Sequence, residues 1–420
     1  MYCGREQKLM RGVRRLSAST PDRYLPWALL GGIGWFFVYA DRAVLSPLLS
    51  TFGMQFHVGP GQLGLISSAF FLTYTLVQIP AGHLADRISP RALLGIGYIG
   101  FGTFIALTSA AFSYLGLLVL TAMAGAFQGS YYPTQFAVTA RRIPAAALPV
   151  ANAVITSGMG AGIAGGYLVA AVLAPHDWRI AVWVLGLLTI AVGVWLYLVT
   201  PSDVARSAGR EPKARVLWNR RFVLLLAMNF CSLYPFFFLL AWLPFDISRQ
   251  LDLHGLTLGA LAALPTVVAI PATILWSRGA ASRRLRRIRL LLAASALALL
   301  AMALPSGLPL LVAALVVYGS SGKLVLDPLL LSEVAQSLQG EQYGRAYGTL
   351  NFVGMLASVT APALGGLLVQ QFGNFSLAFV VAALMPALGF ALSLALGPPG
   401  QVGPSPGTKR PTVAALGGGT

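Results

Sequence analysis

The chain has 420 residues, 57% of them hydrophobic and only 10% charged, with a formal net charge of +17. A soluble domain carries about 25% charged residues, so the composition excludes a soluble globular protein and points to a polytopic membrane protein. The positive charge lies in short loops between apolar runs, which the positive-inside rule explains without a nucleic-acid partner.

The first 25 residues are polar and basic with no apolar h-region, so no cleavable signal peptide is expected. Twelve apolar runs follow, at about 27–50, 61–84, 91–111, 115–137, 148–173, 180–200, 221–244, 255–276, 289–304, 309–332, 344–370 and 374–396. The first holds two full charges, Asp41 and Arg42, which are expensive in hydrocarbon. Arg42 falls about 22 Å beyond Trp27 along a helix. Adjacent helical residues point about 100° apart, so the two charges cannot simply pair with each other.

The Lys and Arg residues orient these runs. Of the 29 in the chain, all but four lie in the N-terminal tail, the 2–3, 4–5, 6–7, 8–9 and 10–11 loops and the C-terminal tail. Only Arg179 and Arg249 fall on the other side, and Arg42 and Lys323 lie within runs. That asymmetry places both termini in the cytoplasm. Arg outnumbers Lys, a bias of GC-rich bacterial genomes, so a bacterial inner membrane is expected. The divisions are a basic cytoplasmic tail (1–26), an N-terminal six-helix bundle (27–200), a cytoplasmic central loop (201–220), a C-terminal six-helix bundle (221–396) and a low-complexity, disordered cytoplasmic tail (397–420).

Two internal echoes suggest duplication. Ile79-Pro80-Ala81-x-x-Leu84-x-x-Arg87 closes run 2, and Ile270-Pro271-Ala272-x-x-Leu275-x-x-Arg278 closes run 8. Ala161-x-x-x-Gly165-Gly166-x-Leu168-Val169 in run 5 echoes Ala361-x-x-x-Gly365-Gly366-x-Leu368-Val369 in run 11. Each pairs corresponding runs of two halves. The expected fold is an all-α membrane protein, twelve transmembrane helices as two pseudo-symmetric six-helix bundles, an architecture of transporters with a midplane site.

Between runs 2 and 3, Gly82-x-x-x-Asp86-Arg87-x-x-x-Arg91 resembles the loop signature of the major facilitator superfamily, with Ser89 where Gly is usual and Pro90 in place of a basic residue. More narrowly, the chain resembles the anion:cation symporter branch. The matching residues are Asp41-Arg42 with Leu45-Ser46, Phe52-Gly53, Gln62-Leu63-Gly64, Ser68-Ala69-Phe70, Tyr74, Gln78-Ile79-Pro80, Trp178-Arg179, Trp242-Leu243-Pro244 and Asn351. That branch often has Glu in helix 4 where this chain has Gln128, so a carboxylate tied to proton coupling is missing there. The Pro of the antiporter signature in helix 5 also has no counterpart, Ile163 standing in its place.

The resemblance implies a cavity lined by helices 1, 4, 7 and 10, and the intramembrane polar residues fall mainly there. Arg42 offers a bidentate fork to a carboxylate; the competing reading is a snorkelling Arg. Lys323 is a second anion contact, and Asp327, four residues on, is its competitor or simply its intrahelical partner. Tyr74, Tyr131, Tyr132 and Tyr234 supply hydroxyls, or fill gaps between helices. Gln128, Asn229 and Asn351 complete the substrate-binding set. Asp41 and Asp327 are the proton-coupling candidates, with Glu333 a further titratable group. Gly82, Asp86, Arg87 and Arg91, engaging Arg141 or Arg142, form a cytoplasmic gate by the resemblance.

His57, His83, His176 and His254 are scattered without metal spacing, and Cys3 and Cys231 are too few for a disulfide framework. No Gly-rich phosphate loop is present, so neither a cofactor nor an enzyme is expected. The expected function is alternating-access transport of a small organic anion, a sugar acid or aromatic acid, by a monomer with proton-coupled uptake. A proton-driven exporter of amphipathic compounds is the alternative, and a non-transporting membrane sensor the third. The charge asymmetry yields a direct test. Single cysteines placed in 283–289 should resist a membrane-impermeant thiol reagent added to intact cells and react after permeabilisation.

Overall fold

The computed structural model describes residues 21–84, 88–143, 148–200, 202, 219–277, 283–304, 307–337 and 343–396. Both tails and most of the central loop lie outside the described residues, as do Asp86 and Arg87 of the 2–3 loop. Within them the chain forms helices and no strand.

Span 1 is α1 (Pro21–Val44) continued by α2 (Leu49–Phe56), and the pair bends by 43° where Pro47 denies the helix a donor. Span 2 is α3 (Pro60–Leu84) and span 3 is α4 (Pro90–Thr108). Span 4 is broken at Gly129–Ser130 into α5 (Tyr114–Gln128) and α6 (Tyr131–Arg142). Spans 5 and 6 are α7 (Leu148–Leu173) and α8 (Trp178–Val199). The second half runs α9 (Arg220–Leu251), α10 (Gly255–Ser277) and α11 (Arg284–Ala303) as spans 7 to 9. Span 10 is broken at Gly322 into α12 (Leu308–Ser321) and α13 (Lys323–Ser337), and α14 (Tyr343–Phe372) and α15 (Ser376–Leu394) are spans 11 and 12.

Several helices begin where the sequence supplies a cap. Ser89 accepts from Ala92 N with Pro90 opening α4, and Asn219 accepts from Phe222 N at 2.7 Å to open α9. Eight spans, span 10 taken as one through Gly322, are long and apolar enough to cross a membrane, and the bent α1–α2 pair makes a ninth. The other three spans fail the simple test for readable reasons. Span 4 is split, α11 opens with a run of arginines, and α3 mixes Gly, Pro, Ser and Gln into its apolar sequence.

The packing repeats between the halves. Span 1 packs on span 5 as span 7 packs on span 11, span 3 on 6 as 9 on 12, and span 2 on 4 as 8 on 10. The halves meet through span 2 against span 11 and span 5 against span 8, again an equivalent pair. The repeated Gly-Gly motif explains part of this. A Cβ on Gly165 would stand 2.8 Å from the ring of Phe36 in span 1, and one on Gly365 would stand 2.8 Å from the ring of Phe238 in span 7. The duplicated glycines thus admit equivalent aromatic side chains in the two halves. On the same side of α7, a Cβ on Gly158, Gly162 or Gly166 would press on the backbone oxygen of Gly32, Phe36 or Ala40 of span 1. Small residues at this spacing let two membrane helices approach backbone to backbone.

On the face where the described chain begins, Glu333 of α13 is buried and bonds Arg221 at 2.7 Å and Arg284 at 3.5 Å, joining spans 7, 9 and 10. Arg289 donates to Ser393 O at 2.8 Å, joining spans 9 and 12. On the opposite face, the two halves are stitched together by side chains that donate to bare carbonyls. Ser46 reaches Ala241 O at 2.6 Å, Ser68 reaches Val359 O at 2.7 Å and Tyr167 reaches Leu240 O at 3.1 Å. Gly61 N donates to Gln370 Oε1 at 2.9 Å nearby.

The glycine contacts set a stability prediction. Gly162→Val forces two γ-methyls against the Phe36 backbone, an overpacking that costs about 1–3 kcal/mol. The purified variant should unfold several degrees below wild type in a detergent thermal ramp, with Gly160→Val, whose nearest neighbour is 3.7 Å away, much less affected.

Candidate functional site

A cavity of about 160 Å³ lies between the halves, from mid-depth toward the face where the described chain begins. Its N-terminal-half wall is Trp35 and Tyr39 of span 1, Tyr74 of span 2, Tyr132 of span 4, and Thr156 and Met159 of span 5. The facing wall is Asn229 and Leu233 of span 7, Lys323, Asp327 and Leu331 of span 10, and Leu350, Asn351 and Met355 of span 11. A second void of about 30 Å³, beside Tyr167, Leu240 and Tyr318, has no charged residue on its wall.

Lys323 opens α13 directly after the break at Gly322. The break has a local cause: Gly322 turns the chain out of helix while its N–H still bonds Tyr318 O at 2.6 Å. A half-helix N-terminus therefore faces the middle of the protein, where its free N–H groups and dipole favour an anion. The Lys323 ammonium is 5.3 Å from the Phe236 ring centroid and pairs with Asp327 one turn on. Lys323 is 8% exposed while the Asp327 side chain is 28% exposed, so the carboxylate is the more open partner.

Arg42 does not line the cavity. It is buried behind it, and its Nε and Nη2 both donate to Gln128 Oε1, at 3.0 and 2.5 Å. Aromatic rings surround the guanidinium, with centroids at 4.7 Å (Tyr74), 4.8 Å (Tyr39), 5.1 Å (Phe71) and 5.4 Å (Phe70). Tyr39 and Tyr74 are also cavity wall, so those two rings lie between the guanidinium and the cavity. Gln128 thus occupies the position of a carboxylate partner while carrying no charge.

Asp41 turns the other way. It is fully buried and accepts from Thr189 Oγ1 of span 6 at 2.6 Å; among the described residues its other oxygen has no hydrogen-bond partner. The helical offset that prevents pairing with Arg42 also carries Asp41 out of the cavity.

The structure gathers Tyr74, Tyr132, Asn229, Lys323, Asp327 and Asn351 from the sequence-derived set around one cavity, with Arg42 and Gln128 immediately behind it. Tyr131 and Tyr234 do not line it. Tyr131 packs on Tyr98 at 4.9 Å between ring centroids and donates to Gly31 O at 3.3 Å, a role in joining spans 1, 3 and 4. Tyr234 is buried near Phe230. Asn229 donates to Leu350 O at 3.0 Å, and Asn351 donates across the halves to Gln78 Oε1 at 2.9 Å.

Sequence reasoning missed Trp35, Thr156 and Met159 as wall residues. The spacing held a signal, since 35 and 39 are i, i+4 and 156 and 159 are i, i+3, each pair on one helix face. Of the gate motif, Gly82 lies in the last turn of α3 and Arg141 in α6, the latter's side chain being outside the described residues. Arg91 places its guanidinium 4.2 Å from the Tyr197 ring centroid, a contact with span 6.

With this geometry in view, the comparisons with known proteins decide the family. The family model described as Major Facilitator Superfamily matches residues 32–332 and, overlapping it, 247–417. The chain belongs to the major facilitator superfamily. It is 26% identical over 400 residues to the probable sulfoacetate transporter of Cupriavidus necator, covering 87% of this chain and 91% of the relative. It is 25% identical over 406 residues to a voltage-gated purine nucleotide uniporter of Mus musculus, covering 88% and 89%. In fold it resembles a bacterial homologue of the human lysosomal transporter Spinster, with a TM-score of 0.73 at 15% identity over 90% of this chain and 97% of that one. The protein is accordingly a multi-pass membrane transporter of this superfamily and not an enzyme.

In a superfamily transporter whose guanidinium is held by a planar fork, charge alone should not suffice. Arg42→Lys keeps the charge and loses the paired donation to Gln128 Oε1. Uptake by correctly inserted Arg42→Lys protein should fall by about tenfold or more, the equivalent of about 1.4 kcal/mol, while size-exclusion behaviour stays that of wild type.

Proposed function

We propose that this transporter moves a small organic anion, a carboxylate such as a sugar acid or an aromatic acid, by alternating access, with proton-coupled uptake across the bacterial inner membrane. In this reading both termini are cytoplasmic, the two six-helix units span 27–200 and 221–396, and the working unit is a monomer in the lipid bilayer. The observation that carries the reading is Lys323. A cation stands on the wall of the central cavity, at the start of a half-helix, with a competing carboxylate one turn away.

The chemistry follows from that arrangement. In the empty state Asp327 neutralises Lys323, so the ammonium is not left bare in a low-dielectric site. An arriving carboxylate exchanges with Asp327 and gains the N-terminal dipole of α13 as well. Tyr39 and Tyr74 lie between that ligand and the Arg42 guanidinium, so a small ring movement brings a second cation to the substrate. Alternation then requires the opposite face to part, and the contacts holding it are single hydrogen bonds to carbonyls, each of which water can replace.

Gln128 cannot titrate, so coupling passes to another carboxyl. Glu333 is held by two arginines. Asp41 meets no cation in its hydrogen bonding and shares helix α1 with Tyr39 and Arg42, so a change in its charge acts on the helix that carries both. In proteoliposomes, wild type should accumulate an organic anion when an inward pH gradient is imposed. Asp41→Asn should keep binding and counterflow exchange and lose the gradient-driven accumulation. A wild type indifferent to the gradient would replace the proton with another driving force, and a concentrating Asp41→Asn protein would move the coupling to a different residue.

A further inference from the structure

The two walls of the cavity differ in kind. The N-terminal half contributes rings: Trp35 stacks on Tyr39 with centroids 5.6 Å apart and planes at 25°, and Tyr132 meets Trp35 edge-on at 5.9 Å. The C-terminal half contributes the ions and amides. A ligand with polar groups all round would match the C-terminal wall alone, because its other side would be desolvated against ring faces. A flat apolar body with one charged end matches both.

The wall limits the valence. Its one cation, Lys323, already faces Asp327. Arg42 and Asp41 lie behind it, on Gln128 and Thr189, and cancel as opposite charges when both are ionised. A second carboxylate or a phosphate would meet Asp327 and find no further cation on the described walls. Asn229 and Asn351 each commit one N–H to a protein oxygen, Leu350 O and Gln78 Oε1, and an amide has a second N–H to offer the charged end of a ligand. Met159 and Met355 add soft sulfur to the lining, which favours contact with a ring edge.

From these observations we infer that the cavity takes a monovalent aromatic carboxylate, its ring against Trp35, Tyr39 and Tyr132 and its carboxylate on Lys323. The inference rests on the organic-anion reading and narrows it. It separates this chain from its relatives named for sulfoacetate and purine nucleotides, whose ligands carry more than one negative charge.

The test is calorimetric titration of the purified full chain with benzoate, gluconate, terephthalate and benzamide. Benzoate should bind saturably. Gluconate, which lacks the ring, and terephthalate, which adds a charge, should bind about tenfold more weakly or not at all, and benzamide should show no saturable binding. Tyr132→Leu, which keeps apolar volume and removes the ring, should weaken benzoate about threefold to tenfold and leave gluconate unchanged, in protein whose thermal unfolding matches wild type. Gluconate or terephthalate binding as tightly as benzoate, or benzoate unaffected by Tyr132→Leu, would overturn the aromatic monoacid and leave the anion reading standing. Benzamide binding as well as benzoate, or no acid binding at all, would overturn the anion reading with it.

Discussion

A guanidinium inside a membrane-spanning bundle has to be solvated by the protein itself, and the N-terminal half of this transporter is arranged around that requirement. Arg42 receives one amide oxygen, from Gln128, and a set of ring faces from spans 1 and 2. Those contacts fix the rotation of α1 about its axis. Once Arg42 faces spans 2 and 4, Asp41 must face span 6, Trp35 and Tyr39 must face the centre, and the glycine-contacting face must meet α7. The cavity wall, the buried acid and the tight span 1–span 5 contact are three consequences of one rotational setting.

The duplication shows in packing more clearly than in chemistry. Equivalent helices pair in both halves, and Gly165 and Gly365 admit aromatic rings from equivalent neighbours. Yet Arg42 belongs to span 1 while span 7 carries no Lys or Arg from Phe222 to Ser248, and Lys323 belongs to span 10, whose partner span 4 carries Gln128 and Tyr132. The scaffold is symmetric while the cavity walls are not: rings come from one half, ions from the other.

How much of this could be read beforehand varies residue by residue. The twelve spans, the two halves and the Lys323–Asp327 pair follow from periodicity, loop charge and i, i+4 spacing, which are local properties. The assignment of Tyr132 to the cavity and Tyr131 to the helix contacts did not follow, because adjacent tyrosines differ only in helix rotation, which tertiary packing sets. The retreat of Arg42 behind Tyr39 and Tyr74 was hidden for a similar reason, since its partner Gln128 is 86 residues away. Asp41 was read correctly as unable to pair with its neighbour, but its bond to Thr189, 148 residues on, left no trace in any short stretch.

The interruption at Gly322 has a mechanical side. The first half of span 10 packs on spans 8 and 9, while the second half packs on spans 7 and 8 and is tied by Glu333 to the starts of spans 7 and 9. A 15-residue arm such as α13 is about 22 Å long. A tilt of about 10° at its glycine pivot would carry the far end through about 4 Å by that same length. On such a tilt Lys323, at the pivot, would hardly move, while Asp327 and Leu331 would be carried further the further they lie along the arm. A span built this way has the geometry of a crank with its cation at the bearing, the wall beyond it free to swing past a fixed charge.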